Sequence, residues 1–78
     1  MNYDKIFFKC RIVERVRLRP DYKSEILKHV LAGFYPGSIT PNYIIMAKYA
    51  QAAMKELINT GVIIYKPKTK LKLSPENI

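Results

Sequence analysis

The chain has 78 residues, 49% apolar and 12% aromatic, with fourteen lysines and arginines against six acids for a net charge of +8. That length holds one small domain (residues 1–78) with no second core, and the apolar content excludes a disordered chain. One cysteine and one histidine exclude an internal disulfide and a thiolate or imidazole metal cluster.

No stretch of eighteen apolar residues occurs, and the start carries no charged-then-apolar leader. A soluble, cytoplasmic protein is therefore expected. The excess of cations favours a polyanionic partner, nucleic acid before an anionic membrane.

Residues 5–19, KIFFKCRIVERVRLR, alternate. Ile6, Phe8, Cys10, Ile12, Val16 and Leu18 fall in one row, with Glu14 the exception, and Lys5, Phe7, Lys9, Arg11, Val13, Arg15, Arg17 and Arg19 in the other. A period of two predicts a strand with a buried face and a basic face. Fifteen residues is long for a strand, so a bend is expected near Val13–Glu14, with Pro20 as the stop. Cys10, in the apolar row, reads as a packing residue.

Asp21 then predicts a helix N-cap, and Ile26, Leu27, Val30, Leu31 and Phe34 follow at helical spacing. Gly33 is the expected stop, and Pro36–Gly37 predict a turn. Thr40 and Pro41 suit the cap and first position of a second helix. Its apolar stripe is Met46, Tyr49, Ala50, Ala53, Met54, Leu57 and Ile58. Lys48, Gln51, Lys55 and Asn59 form the opposing stripe, and Gly61 ends the helix.

Residues 62–73, VIIYKPKTKLKL, return to a period of two. Ile63, Tyr65, Leu71 and Leu73 share the apolar face, while Lys66, Lys68, Lys70 and Lys72 share the other. Pro67 marks an edge strand or a kinked ribbon, and SPENI reads as a frayed end. The fold expected is α+β, in the order strand, helix, helix, strand. Two helices would pack on one face of a small antiparallel β structure formed by the N- and C-terminal strands.

Catalysis finds little support. The six acids are scattered without a close pair, His29 lies on the polar side of the first helix, and no glycine-rich phosphate loop is present. The chain is expected not to be an enzyme and to need neither cofactor nor metal. Three cationic sets remain: Lys9, Arg11, Arg15, Arg17 and Arg19 on the first strand; Lys48 and Lys55, with Gln51 and Asn59, on the second helix; and Lys66, Lys68, Lys70 and Lys72 on the last strand. With the two strands paired, their cations would merge into one surface that neutralises phosphates and releases counterions. Arginines, glutamine and asparagine can read base edges, and lysines position on phosphate.

SITP followed by AQAAMKELINTGVIIYKPKTKLKL resembles the second half of winged-helix domains. The resemblance implies a recognition helix at about residues 47–60, presenting Lys48, Gln51, Lys55 and Asn59 to the major groove. A basic wing would follow at 62–73. RVRLRPDYKSEILKHVL with TPNYIIMAKYAQAAMKEL is similar to a ribbon–helix–helix domain, which makes Arg15, Arg17 and Arg19 the readers on a strand. Both families imply a homodimeric DNA-binding regulator of transcription with duplex DNA as partner. An RNA-binding or ribosomal-type module, and a small inhibitor docking through an edge strand, are the alternatives.

Overall fold

A computed structural model describes the backbone over residues 4–32 and 41–75, with the side chains of 41–43 excepted. Among these residues there are three helices, α1 (Lys5–Leu18), α2 (Lys23–Leu31) and α3 (Pro41–Asn59), and two short strands, β1 (Ile63–Ile64) and β2 (Lys72–Leu73). A small α+β arrangement is therefore present, but the strand expected over residues 5–19 is a helix. Among the described residues no β structure joins α1 to the C-terminal part of the chain: the sheet found there is β1 with β2, paired antiparallel with Ile63 opposite Leu73 and Ile64 opposite Lys72.

The misread strand has a specific cause. Phe8, Ile12 and Val16 are the buried residues of α1, and a spacing of four satisfies both a period of two and a helical turn. The remaining members of the alternating row separate the two cases. Cys10 is exposed, as are Ile6 at 67% and Leu18 at 78%, so every second residue of the supposed buried row faces out. Length also favours the helix, since fifteen periodic residues exceed an ordinary strand. Asp4 caps the start, its side chain accepting the Phe7 N–H at 3.0 Å. At the other end Arg19 turns to extended backbone while its N–H still reaches the Arg15 carbonyl at 3.0 Å. Pro20 then ends the run, and the bend at Val13–Glu14 does not exist.

Asp21, expected as the N-cap of α2, stands one residue too early. Tyr22 occupies the cap without a side-chain hydrogen bond, and Asp21 Oδ1 accepts the Tyr22 N–H at 2.8 Å. Ile26, Val30 and Leu31 are buried as expected. Gly33, Phe34, the Pro36–Gly37 turn and the Thr40 cap lie outside the described residues, as do residues 76–78.

Pro41 opens α3, the position where its missing N–H costs nothing. Ala50, Ala53, Met54 and Leu57 are its buried face, and the two alanines let α1 approach closely. Tyr49, assigned to this stripe, is 40% exposed at its edge. Beyond Asn59 the Thr60 N–H bonds the Glu56 carbonyl at 2.9 Å and the Gly61 N–H bonds that of Ile58 at 3.2 Å. Gly61 takes φ +81°, the left-handed stop that glycine makes without strain.

Phe8, Ile12, Ile26, Met54, Ile63, Leu71 and Val16 are the largest fully buried side chains, so all three helices and the hairpin meet in one core. Leu71 and Leu73 are buried as the sequence predicted. Between the strands a turn runs from Lys66 to Thr69, closed by the Thr69 N–H on the Lys66 carbonyl at 3.1 Å. Pro67 takes its second position and Lys68 its third, with φ +66°, as a type II turn requires. No described helix is long and apolar enough to cross a membrane.

Candidate nucleic-acid interface

Along α3, positions 48, 52, 55 and 59 return to one side of the helix, and Lys48, Ala52, Lys55 and Asn59 are all exposed. Gln51 is exposed on the shoulder of that side. At 1.5 Å per residue the 19-residue helix is about 28 Å long, and a small residue lies at the middle of its outer face.

The four hairpin lysines are exposed too, but not as one strand row. Lys66 and Lys68 belong to the turn, Lys70 follows it, and only Lys72 is in β2. Three contacts anchor this hairpin to the start of α2. The Leu71 N–H donates to the Asp21 carbonyl at 2.8 Å. Lys70 Nζ lies 6.0 Å from the Tyr22 ring centre, and Lys23 Nζ lies 5.1 Å from that of Tyr65. The two cation–π contacts are reciprocal: each side supplies one cation and one ring. At partly exposed sites such contacts are worth about 0.5–1 kcal/mol each, enough to bias the hairpin toward one position.

Between α2, α3 and the hairpin lies a groove of about 580 Å³, lined by Lys23, Leu27, Gln51, Lys55, Asn59 and Tyr65, with Ile58 among them. Among the described residues no carboxylate lines it. Tyr65, which alternation assigns to the apolar face, is instead 39% exposed. The period fails because β1 ends at Ile64, one residue before the ring.

The first cationic set is disposed differently. Lys9 donates to Glu56 Oε1 at 2.8 Å, and Lys5 reaches Glu56 Oε2 at 2.6 Å, which joins α1 to α3. These hydrogen bonds, that of Lys5 first and then that of Lys9, hold the Glu56 carboxyl down from an ordinary 4.5 to about 2. Arg15 donates to the Arg19 carbonyl and lies 3.6 Å from the Asp21 carboxylate. Arg11 lies over the Phe7 ring at 5.6 Å, and Arg17 and Arg19 are exposed. Arg11 and Arg15 line a cleft between α1 and α2 that also holds Glu14 and His29. Lys23 and Leu27 line the groove on the other flank of α2. The expected single cationic surface is thus divided, and its α1 part is mixed with acids.

Lys23, Tyr22 and Tyr65 were not among the sequence candidates. Their pairing depends on the hairpin folding back on α2, which no local spacing encodes. The available signal was compositional, six tyrosines in a strongly basic chain. No protein-family model matches the chain, and no curated protein or solved structure is significantly similar to it.

Proposed function

We propose that this is a small DNA-binding protein of winged-helix type, acting in transcriptional regulation. The observation that carries the reading is the exposed row on α3, Lys48, Lys55 and Asn59 with Gln51 beside it, next to a hairpin that presents four lysines and is tied down at its base. In this reading α3 enters the major groove, which admits a helix, and its amide side chains contact base edges. The hairpin lysines neutralise phosphates and set the register.

The order helix, helix, helix, two-stranded hairpin supports this over the ribbon–helix–helix alternative. That alternative needs Arg15, Arg17 and Arg19 on a strand, and Arg15 and Arg17 lie in the last turn of α1. Among the described residues Lys48 and Lys55 form no ion pair that competes with phosphate, unlike Lys5 and Lys9.

The test is a binding titration against duplex DNA, single-stranded DNA and RNA at 50 and 200 mM salt (about a fourfold change, wide enough to read a slope). Tightest binding to duplex DNA with a steep loss at the higher salt is expected. Binding to none of them at low salt, or affinity indifferent to salt, would overturn the proposal.

A further inference from the structure

Three elements contribute to the groove beside α3, and their chemistry is ordered along it. Gln51, Lys55 and Asn59 are spaced by four, so they form one row down the flank of the helix. That row is an amide, an ammonium and an amide. Opposite it stand Lys23 and the part-exposed ring of Tyr65, while Leu27 and Ile58 supply apolar lining. The volume, about 580 Å³, lies in the range of sites that enclose a small ligand.

Smooth duplex backbone would engage the ammonium groups but has no use for a ring, two amides and an apolar wall inside a concave site. An acidic peptide would meet the cations through its carboxylates and the amides through its backbone, but would stack on the ring only where it carried an aromatic side chain. A planar heterocycle carrying a phosphate uses all of them. Its π-face stacks on tyrosine, its edge bonds to amide donors and acceptors, and its phosphate meets lysine.

We infer that this groove holds a single unpaired nucleotide adjoining the duplex. Tyr65 stacks on the base, Gln51 and Asn59 bond to its edge in place of the edge of a paired base, and Lys55 and Lys23 hold its phosphate. The inference rests on the nucleic-acid reading above and adds the kind of substrate: a duplex with an end, overhang or bulge rather than an uninterrupted one. Lys23 has a second part in this arrangement, because its contact with Tyr65 fixes the ring that receives the base. Nothing is asked of the α1–α2 cleft, where Glu14 stands among the arginines and offsets part of their charge.

The experiment uses the full chain and two DNA duplexes of equal length. One is blunt; the other carries a one-nucleotide 3′ overhang of 2-aminopurine, whose fluorescence falls on stacking. The overhang duplex is expected to bind about tenfold more tightly, the size of one base–aromatic stack, with quenching on binding. Tyr65→Leu should abolish both the preference and the quenching, and Tyr65→Phe should keep both. Lys72→Gln should weaken the two duplexes equally. Far-UV circular dichroism confirms that each variant folds, and Gln51→Leu tests the same preference independently should Tyr65→Leu fail to fold. Equal affinity for blunt and overhang duplexes, or a preference that survives in a folded Tyr65→Leu, would overturn the inference while leaving duplex binding intact. No binding to either duplex would overturn both readings together.

Discussion

At Glu56 one carboxylate receives two lysines, one on each oxygen, and its titration is linked to folding. The folded carboxyl titrates at about 2 against an ordinary 4.5. A depressed folded value means that the contribution is complete above the unfolded value and is lost as pH falls from 4.5 toward 2. Glu56→Gln should therefore be less stable than the native chain at pH 7, and the difference should shrink steadily below pH 4.5. Urea unfolding midpoints at pH 7, 4 and 2.5 check this. A gap of constant size across the three would mean that the ion pairs do not couple to folding. The residue also bears on binding, since Lys5 and Lys9 spend their charge on Glu56. Lys9, a candidate from sequence, is drawn into the joint between α1 and α3.

Among the elements, α3 and the buried leucines of the hairpin were legible in the sequence, and α1 was not. Over residues 41–59 the apolar stripe fits only a helical period, and Pro41 and Gly61 mark its ends. Over residues 5–19 the buried trio Phe8, Ile12 and Val16 fits helix and strand equally, so only Glu14 and the run's length argued against alternation. Asp4, the cap that would have marked a helix start, precedes the alternating run. The hairpin shows the opposite limit. Its leucines were placed correctly by a period of two, yet the same period misplaced Tyr65, because paired strand accounts for only two residues on each side.

The hairpin turn carries its own expectation. Lys68 stands at φ +66°, where a side chain costs about 1–2 kcal/mol and glycine is the usual occupant. Lys68→Gly relieves that strain and gives back about 0.5–1 kcal/mol in chain entropy. The variant should be more stable by about 0.5–1 kcal/mol, read from denaturant midpoints. It should also bind duplex DNA more weakly, with a salt slope smaller by about one. Strain retained at an exposed cation points to a use for that cation outside the fold. A Lys68→Gly variant that gained stability and bound as well as the native chain would remove this support.

For the molecule as a whole, the distribution of charge matters more than its total. A net charge of +8 suggests a polyanion, but the fold sorts the cations into groups of different availability. Lys5 and Lys9 face Glu56, Arg15 faces Asp21, and Arg11 shares its cleft with Glu14. The hairpin lysines, with Lys48 and Lys55 on α3, are exposed. Counterion release counts only the cations that meet phosphate, at about 0.9 in slope for each. Replacing Lys66, Lys68, Lys70 and Lys72 by glutamine should lower the slope of log K against log salt by about three to four. Replacing Arg11 and Arg15, which lie beside Glu14 and Asp21, should change it by less than about one, although the net charge falls in both. Binding isotherms on one duplex at four salt concentrations separate the cases. If slope followed net charge alone, the arginine pair would cost half as much as the four lysines, and binding would be a property of composition. A loss confined to the lysine variant would place the phosphate contacts on the hairpin, where Lys66, Lys70 and Lys72 line a cavity with Pro20 and Ile64 that is separate from the groove around Tyr65.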